Sequence, residues 1–225
     1  MRSEALKKKT QILKLKINEI FYSIQGESSY MGKPCVFIRL TYCNLHCSYC
    51  DTKYAFFEGV DMTLNEIINQ VSSYRCNLVE ITGGEPLLQK NVLPLMNMLC
   101  DLDYDVMLET GGHIDISAVD KRVKKIMDLK CPSSGEVEKN YWPNIKQLMP
   151  SDEVKFVIGN REDYVWAKKV IEDHLLNDRS KILFSPIFDK IEYSQLAKWI
   201  LEDHLDVRMQ LQLHKFIWPL DTRGV

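Results

Sequence analysis

Short runs of β-branched and aromatic residues alternate with segments of helical period along nearly the whole chain, and this alternation restricts the fold more than any other feature. The runs are 35–40, 78–82, 106–109, 125–129, 153–158, 182–184 and 207–213, with an eighth candidate ahead of them at 12–20. Between them, Thr63 and Glu66 make a capping box that opens a helix to about Tyr74. Segments 92–102, 161–175 and 193–205 repeat apolar residues at helical spacing, and Pro94 falls in a first turn, where its missing N–H costs little. Such a pattern predicts an α/β fold with a mostly parallel sheet and helices packed outside it. A closed eight-unit barrel takes about 250 residues. The 225 residues here suit roughly six units, so an open, partial βα barrel is expected. No repeat or linker divides the chain: residues 1–16, with Lys7, Lys8, Lys9, Lys14 and Lys16, read as a basic solvated tail and 17–225 as one domain.

The composition is 45% hydrophobic and 27% charged, enough apolar material for a sizeable core, which excludes a disordered chain. Lys and Arg (29) nearly balance Asp and Glu (31), so no general attraction to nucleic acid is implied. No apolar run reaches the roughly 18 residues of a membrane span, and the polar start lacks a signal-peptide core. A cytoplasmic protein without membrane or nucleic-acid partners is expected. Seven cysteines is an odd number, and three of them crowd into eight residues. Reduced thiols in that pattern point to metal, redox or catalytic use rather than a disulfide framework. Cys35, Cys76, Cys100 and Cys131 lie in or beside apolar runs and read as core residues.

In parallel βα folds the loops leaving the strands' C-terminal ends bear the chemistry. Here those exits hold the cysteine cluster after Leu40, Gly83-Gly84-Glu85-Pro86 after Thr82, Glu109-Thr110-Gly111-Gly112, and Lys130-Cys131-Pro132-Ser133-Ser134-Gly135. Cys43, Cys47 and Cys50 have C-x3-C-x2-C spacing. A structural zinc site or a fully ligated iron–sulfur cluster takes four ligands, and the fourth is missing. Three cysteines suit a [4Fe–4S] cluster with one iron left open. Glu85 offers an acceptor for an ammonium or only closes a turn; Glu109 offers a ribose contact or only an exposed strand end. Asp128 and Lys130 flank Leu129 and share one strand face, as a cofactor site or as an ion pair.

The segment from Cys43 to Cys50, with Tyr49 before the last cysteine, resembles the signature of the radical S-adenosylmethionine (SAM) enzymes, and Gly83-Gly84-Glu85-Pro86 fits the same superfamily. Within it, Phe21-Tyr22-Ser23-Ile24-Gln25-Gly26-Glu27, Arg39, Cys50-Asp51-Thr52 and Gln212-Leu213-His214-Lys215 resemble the 7-carboxy-7-deazaguanine synthase family, from about residue 18 to the end of the chain. The resemblance implies a carbon–nitrogen lyase of queuosine-precursor biosynthesis. In this family a reduced cluster cleaves SAM, the adenosyl radical takes hydrogen from C6 of 6-carboxy-5,6,7,8-tetrahydropterin, and the ring contracts with loss of ammonia. It implies that Cys43, Cys47 and Cys50 hold the cluster and that Thr52 holds Mg²⁺. Contacts to SAM are implied for Tyr49, Cys50, Asp51, Gly84, Glu85, Glu109, Asp128, Leu129, Lys130, Ser185, Pro186, Ile187 and Phe188. Contacts to the pterin are implied for Ile24, Gln25, Gly26, Glu27, Arg39, Thr82 and Val225. His214 reads equally as a core histidine or a substrate contact. The family often has Ser-Pro-Lys where this chain has Asp128-Leu129-Lys130. An electron donor such as flavodoxin or ferredoxin and a homodimer are also expected. The rival expectations are a glycyl-radical-enzyme activase and a non-catalytic iron–sulfur or zinc module.

Overall fold

A computed structural model describes residues 13–220 and 222–225. Nine strands form one sheet: β1 Lys14–Ile24, β2 Pro34–Leu40, β3 Val60–Thr63, β4 Leu78–Gly83, β5 Asp105–Thr110, β6 Lys124–Leu129, β7 Glu153–Ile158, β8 Lys181–Pro186 and β9 Arg208–Met209. Their order is β3-β1-β2-β4-β5-β6-β7-β8-β9, with β3 and β9 as the two edges. Every pair from β2 to β9 is parallel, as the alternation predicts, and the sheet stays open. Helices α1 Leu64–Ser73, α2 Val92–Asp101, α3 Arg161–His174 and α4 Tyr193–Glu202 match the four expected, and α5 His214–Ile217 is a single turn. The capping box of α1 forms as read: Glu66 N–H donates to Thr63 Oγ1 at 3.2 Å, and Thr63 N–H donates to Glu66 Oε2 at 2.7 Å.

Four expectations need correction. First, Lys14 and Lys16 belong to β1, so the end of the supposed tail is sheet; residues 1–12, with Lys7, Lys8 and Lys9, lie outside the described residues. Second, β1 runs on to Ile24 and pairs antiparallel with both β2 and β3, so the sheet is extended at one edge by a hairpin-like addition. Third, the βα units are incomplete, since the β5–β6 connection contains no α-helix and the β6–β7 connection only 3₁₀ turns. Fourth, the run 207–213 is strand only at Arg208–Met209. Gln210 N–H still reaches the Phe184 carbonyl of β8 at 3.0 Å, and beyond it the chain turns to the segment after β1: Leu213 N–H donates to the Gly26 carbonyl at 2.9 Å, and Gln210 Oε1 accepts from Ser28 N–H at 2.8 Å.

Strand alternation sorts the side chains into two bodies. Val36, Ile38, Val79, Ile81, Val106, Leu108, Leu129, Phe156 and Phe184 face the helices and build the main core, fully or almost fully buried. The opposite face lines the barrel interior in layers. Phe21, Cys35, Phe37, Leu78, Met107 and Ile126 plug its lower end. Above the plug, next along β2, β4, β5 and β6, come Arg39, Glu80, Glu109 and Asp128, joined by Lys155 of β7. The apolar plug closes the floor, and the charged layer above it surrounds a cavity open toward the strands' C-terminal ends.

Candidate active site

The cavity holds about 580 Å³, within the usual range for small-molecule sites. Its wall draws on every strand exit the sequence singled out, and all three cluster cysteines lie on it, half-buried. The cysteine loop is tied to the β6–β7 connection. Ser48 N–H donates to the Ser134 carbonyl at 3.0 Å, Ser48 Oγ donates to the Ser133 carbonyl at 2.7 Å, and His46 N–H donates to Glu136 Oε1 at 2.6 Å. Cys50 N–H closes a turn onto the Cys47 carbonyl at 3.1 Å, which brings those two thiols to one side. His46 itself is exposed, edge-on to Phe56, and does not line the cavity. Burial pushes the Cys43 thiol up, and takes that of Cys47 to about 11 against the pull of the Lys130 ammonium. Gly84 packs so closely on Tyr42 and Cys43 that a Cβ would overlap both.

Glu85 reads as a ligand contact in the sequence, yet the protein already uses both its oxygens. Oε1 accepts from Leu87 N–H at 3.0 Å and Thr110 Oγ1 at 2.9 Å, and Oε2 accepts from Gly111 N–H at 2.8 Å. The carboxylate staples the Gly83–Gly84 loop to the next strand exit, and burial pushes its carboxyl up despite those donors. Lys130 and Asp128 pair at 2.9 Å on the inner face; burial alone would depress Lys130, but Asp128 and Cys47 hold it above its ordinary range. Leu129 and Pro186 do not line the cavity; Leu129 points into the main core, as alternation between its inward neighbours requires. The remaining residues implied for SAM or pterin contact all lie on the cavity wall, Val225 at the chain end included.

Around the other half of the cavity, Arg39 donates from Nε to Glu19 Oε1 at 2.7 Å, and its guanidinium lies 5.5 Å from the Phe21 ring and 5.9 Å from that of Tyr54. Among the described residues its two terminal nitrogens have no hydrogen-bond partner, a fork free for a carboxylate. Gln25 donates from Nε2 to Glu80 and accepts Glu27 N–H on Oε1 at 3.0 Å, which fixes the amide's orientation. Gly26 lies against His214, where a Cβ would overlap the imidazole, so His214 faces the cavity beside Glu27. Sequence reading missed Glu19, Tyr54, Glu80 and Lys155. Glu80 was detectable as the single charge of an otherwise apolar strand, and Lys155 as a charge between Val154 and Phe156 in a strand that also begins with Glu153.

The residues present fit an iron–sulfur cluster with a bound nucleoside. Beyond the three thiols, Tyr49 and Asp128 line the cavity with Oη and Oδ1 buried and, among the described residues, without any partner, a condition costing about 1–3 kcal/mol each unless a ligand supplies one.

Comparison with known proteins agrees. Residues 37–173 match the radical SAM superfamily. The chain is 48% identical to the 7-carboxy-7-deazaguanine synthase of Chlorobaculum tepidum, covering 94% of this chain and 97% of that one. The chain belongs to the 7-carboxy-7-deazaguanine synthase family. The same family's protein from Koribacter versatilis is 45% identical over 94% of this chain and all of the relative. The crystal structure of QueE from Escherichia coli shares the fold, with a TM-score of 0.74 at 20% identity over 89% of this chain and 95% of that one. As a 7-carboxy-7-deazaguanine synthase family member the chain is a radical SAM enzyme, with a [4Fe–4S] cluster and SAM as its cofactors. That identity, together with a cavity walled for a small molecule, favours neither an activase nor a non-catalytic module. Among the described residues no helix is long and apolar enough to cross a membrane.

Proposed function

We propose that this chain contracts 6-carboxy-5,6,7,8-tetrahydropterin to 7-carboxy-7-deazaguanine with release of ammonia, as a carbon–nitrogen lyase of queuosine-precursor biosynthesis. The observation that carries this is a shared cavity: Arg39 with a free fork and the Gln25–Glu27 segment face the same space as Cys43, Cys47 and Cys50. When bound, the cluster and SAM supply hydrogen-atom abstraction at the substrate.

The chain's own residues bind and orient. Cys43, Cys47 and Cys50 hold the cluster. Tyr49, Asp128 and Lys130 face the cofactor, with Glu109 at the ribose; Ser185, Ile187 and Phe188 complete that wall. Arg39 binds the pterin carboxylate through its terminal nitrogens while Glu19 holds the rest of the guanidinium. Glu27 and Thr82 hydrogen-bond the polar ring edge. Gln25, already committed to Glu80 and Glu27, acts by fixing Glu27 rather than by reading the ring. Thr52 offers its hydroxyl to Mg²⁺. Asp51 is drawn into an ion pair with Lys215 at 2.8 Å and is not assigned to the ion. A magnesium at Thr52 therefore takes its other ligands from substrate and water, as this ion prefers. The flat apolar walls, Phe21, Phe37 and Phe56, exclude water. A small iron–sulfur or flavin protein as electron donor, a homodimeric state and a cytoplasmic location complete the proposal.

The decisive experiment is anaerobic incubation of cluster-reconstituted protein with SAM, a low-potential reductant, Mg²⁺ and the carboxytetrahydropterin. Formation of the deazaguanine acid and equimolar ammonia is expected. SAM cleavage without any conversion of the pterin would sink the assignment.

A further inference from the structure

Lys155 occupies the middle of β7, between Val154 and Phe156, which are wholly buried in the main core. Alternation turns it the other way, onto the cavity wall, and only 6% of its side chain is exposed. An ammonium so buried needs partners. It has three carboxylates around it: Glu27 Oε2 at 2.9 Å, Glu109 Oε1 in direct contact, and Asp128 Oδ2 at 3.9 Å. These come from three separate elements: the segment after β1, the end of β5 and the end of β6. Each of the three carboxylates makes a further contact. Glu27 Oε1 accepts from Gln212 at 2.9 Å, Glu109 Oε2 accepts from Thr82 at 3.3 Å, and Asp128 Oδ2 also binds Lys130 at 2.9 Å. Among the described residues, no other cation bridges Glu27 to Glu109 and Asp128.

We propose that Lys155 is a positioning residue that couples the pterin half of the cavity to the cofactor half, so that each ligand tightens the other's binding. The proposal rests on the assignment above of Glu27 to the pterin and of Glu109 and Asp128 to SAM. The physical basis is the flexible stem and three donors of a lysine. Its ammonium can serve Glu27 and Glu109 together only at one position between them. A ligand that hydrogen-bonds either carboxylate fixes that position and so orders the other carboxylate. The second ligand then meets a wall already ordered and loses less entropy on binding. Linkage makes the effect reciprocal: the factor by which SAM tightens the pterin equals the factor by which the pterin tightens SAM.

The test is equilibrium binding to cluster-loaded protein without reductant, so that nothing turns over. Each dissociation constant is measured alone and with the other ligand saturating. In the parent both should fall by the same factor, at least about fivefold, the lower end of typical coupling. In Lys155→Met both ligands should still bind, with a coupling factor near one; Lys155→Arg, which keeps the charge, should restore part of it. Because Lys155→Met leaves three carboxylates facing one another, Lys155→Met/Glu109→Gln is the companion that keeps the buried charge balanced if the single variant does not fold. A general packing defect would weaken both ligands and leave their mutual factor unchanged. Undiminished coupling in either Lys155→Met background, or two ligands that bind the parent without affecting each other, overturns the proposal alone. A parent that binds SAM but not the pterin overturns the functional assignment, and the coupling with it.

Discussion

Asn140 grips the backbone of Lys130 from both sides: its Oδ1 accepts from the Lys130 N–H at 2.9 Å, and its Nδ2 donates to the Lys130 carbonyl at 2.9 Å. A residue ten positions along the chain thereby imitates the next strand of the sheet, at the point where β6 ends and the cavity wall begins. Lys130 is thus oriented by its main chain as well as by Asp128. Asn140→Ala should cost about 1–3 kcal/mol for each buried backbone group left unpaired. Asn140→Asp keeps the acceptor but sets an oxygen against the Lys130 carbonyl, so it should rescue little. Urea midpoints of the two variants check this; a variant as stable as the parent would show that the clamp contributes nothing.

Cys43→Ala, Cys47→Ala and Cys50→Ala should each prevent a stable four-iron cluster and abolish SAM cleavage. Cys35, Cys100 and Cys131 are buried and Cys76 half-buried, away from the cavity wall, so their alanine variants should keep the cluster and lose only packing energy. Iron content and electron paramagnetic resonance of the reduced proteins separate the two groups. Normal iron content in a Cys47 variant would contradict the assignment.

Arg39→Leu and Glu27→Gln should weaken the pterin more than SAM. Losing a charged hydrogen bond to a ligand costs about 1.5–3 kcal/mol, roughly tenfold to a hundredfold in affinity. Glu19→Gln should reproduce a milder form of the Arg39 defect, because Glu19 fixes the guanidinium without facing the ligand's carboxylate. Pterin and SAM titrations of each variant provide the comparison. Equal losses for both ligands would mean a damaged fold instead.

Thr52→Val preserves the β-branched shape and removes the oxygen. The variant should fold, keep its cluster and bind SAM normally, while turnover and its stimulation by Mg²⁺ fall together. Removing Mg²⁺ with a chelator should likewise slow the parent and leave Thr52→Val unchanged. An equal response of both proteins to Mg²⁺ would put the ion elsewhere.

Burial, and then the neighbouring Glu109, hold the Glu80 carboxyl well above the usual carboxylate range. The folded protein therefore keeps this proton at pH values where the unfolded chain has released it. Stability contributed by that proton is greatest at low pH and declines as pH rises above about 4.3, the unfolded value, toward the folded one. Glu80→Gln retains an acceptor for Gln25 and abolishes the titration. Its melting temperature should rise relative to the parent's as pH increases from 5 to 8. A difference that stays constant over that interval would show that Glu80 is ionised throughout.

The parallel strands β2 and β4 to β8, the four α-helices and the three thiols were legible because each depends on spacing within a few residues. Period 2 or 3.6 fixes which face is buried, and C-x3-C-x2-C fixes three ligands in one loop. Placement of nearly all the expected contacts around one cavity followed from the rule that strand exits share a rim. What each side chain does there was not legible. Glu85 read as an ammonium acceptor or a turn closure, and both its oxygens accept bonds from Thr110, Gly111 and Leu87 that no spacing announced. Arg39 pairs with Glu19 across an antiparallel strand pair the pattern had not disclosed. Lys155 attracted no notice in its strand, yet it joins residues 128 and 46 positions away. Local sequence determines which residues face inward, because backbone geometry is periodic. Only the tertiary structure decides their partners, because a buried charge takes whichever opposite group the neighbouring strands bring within reach.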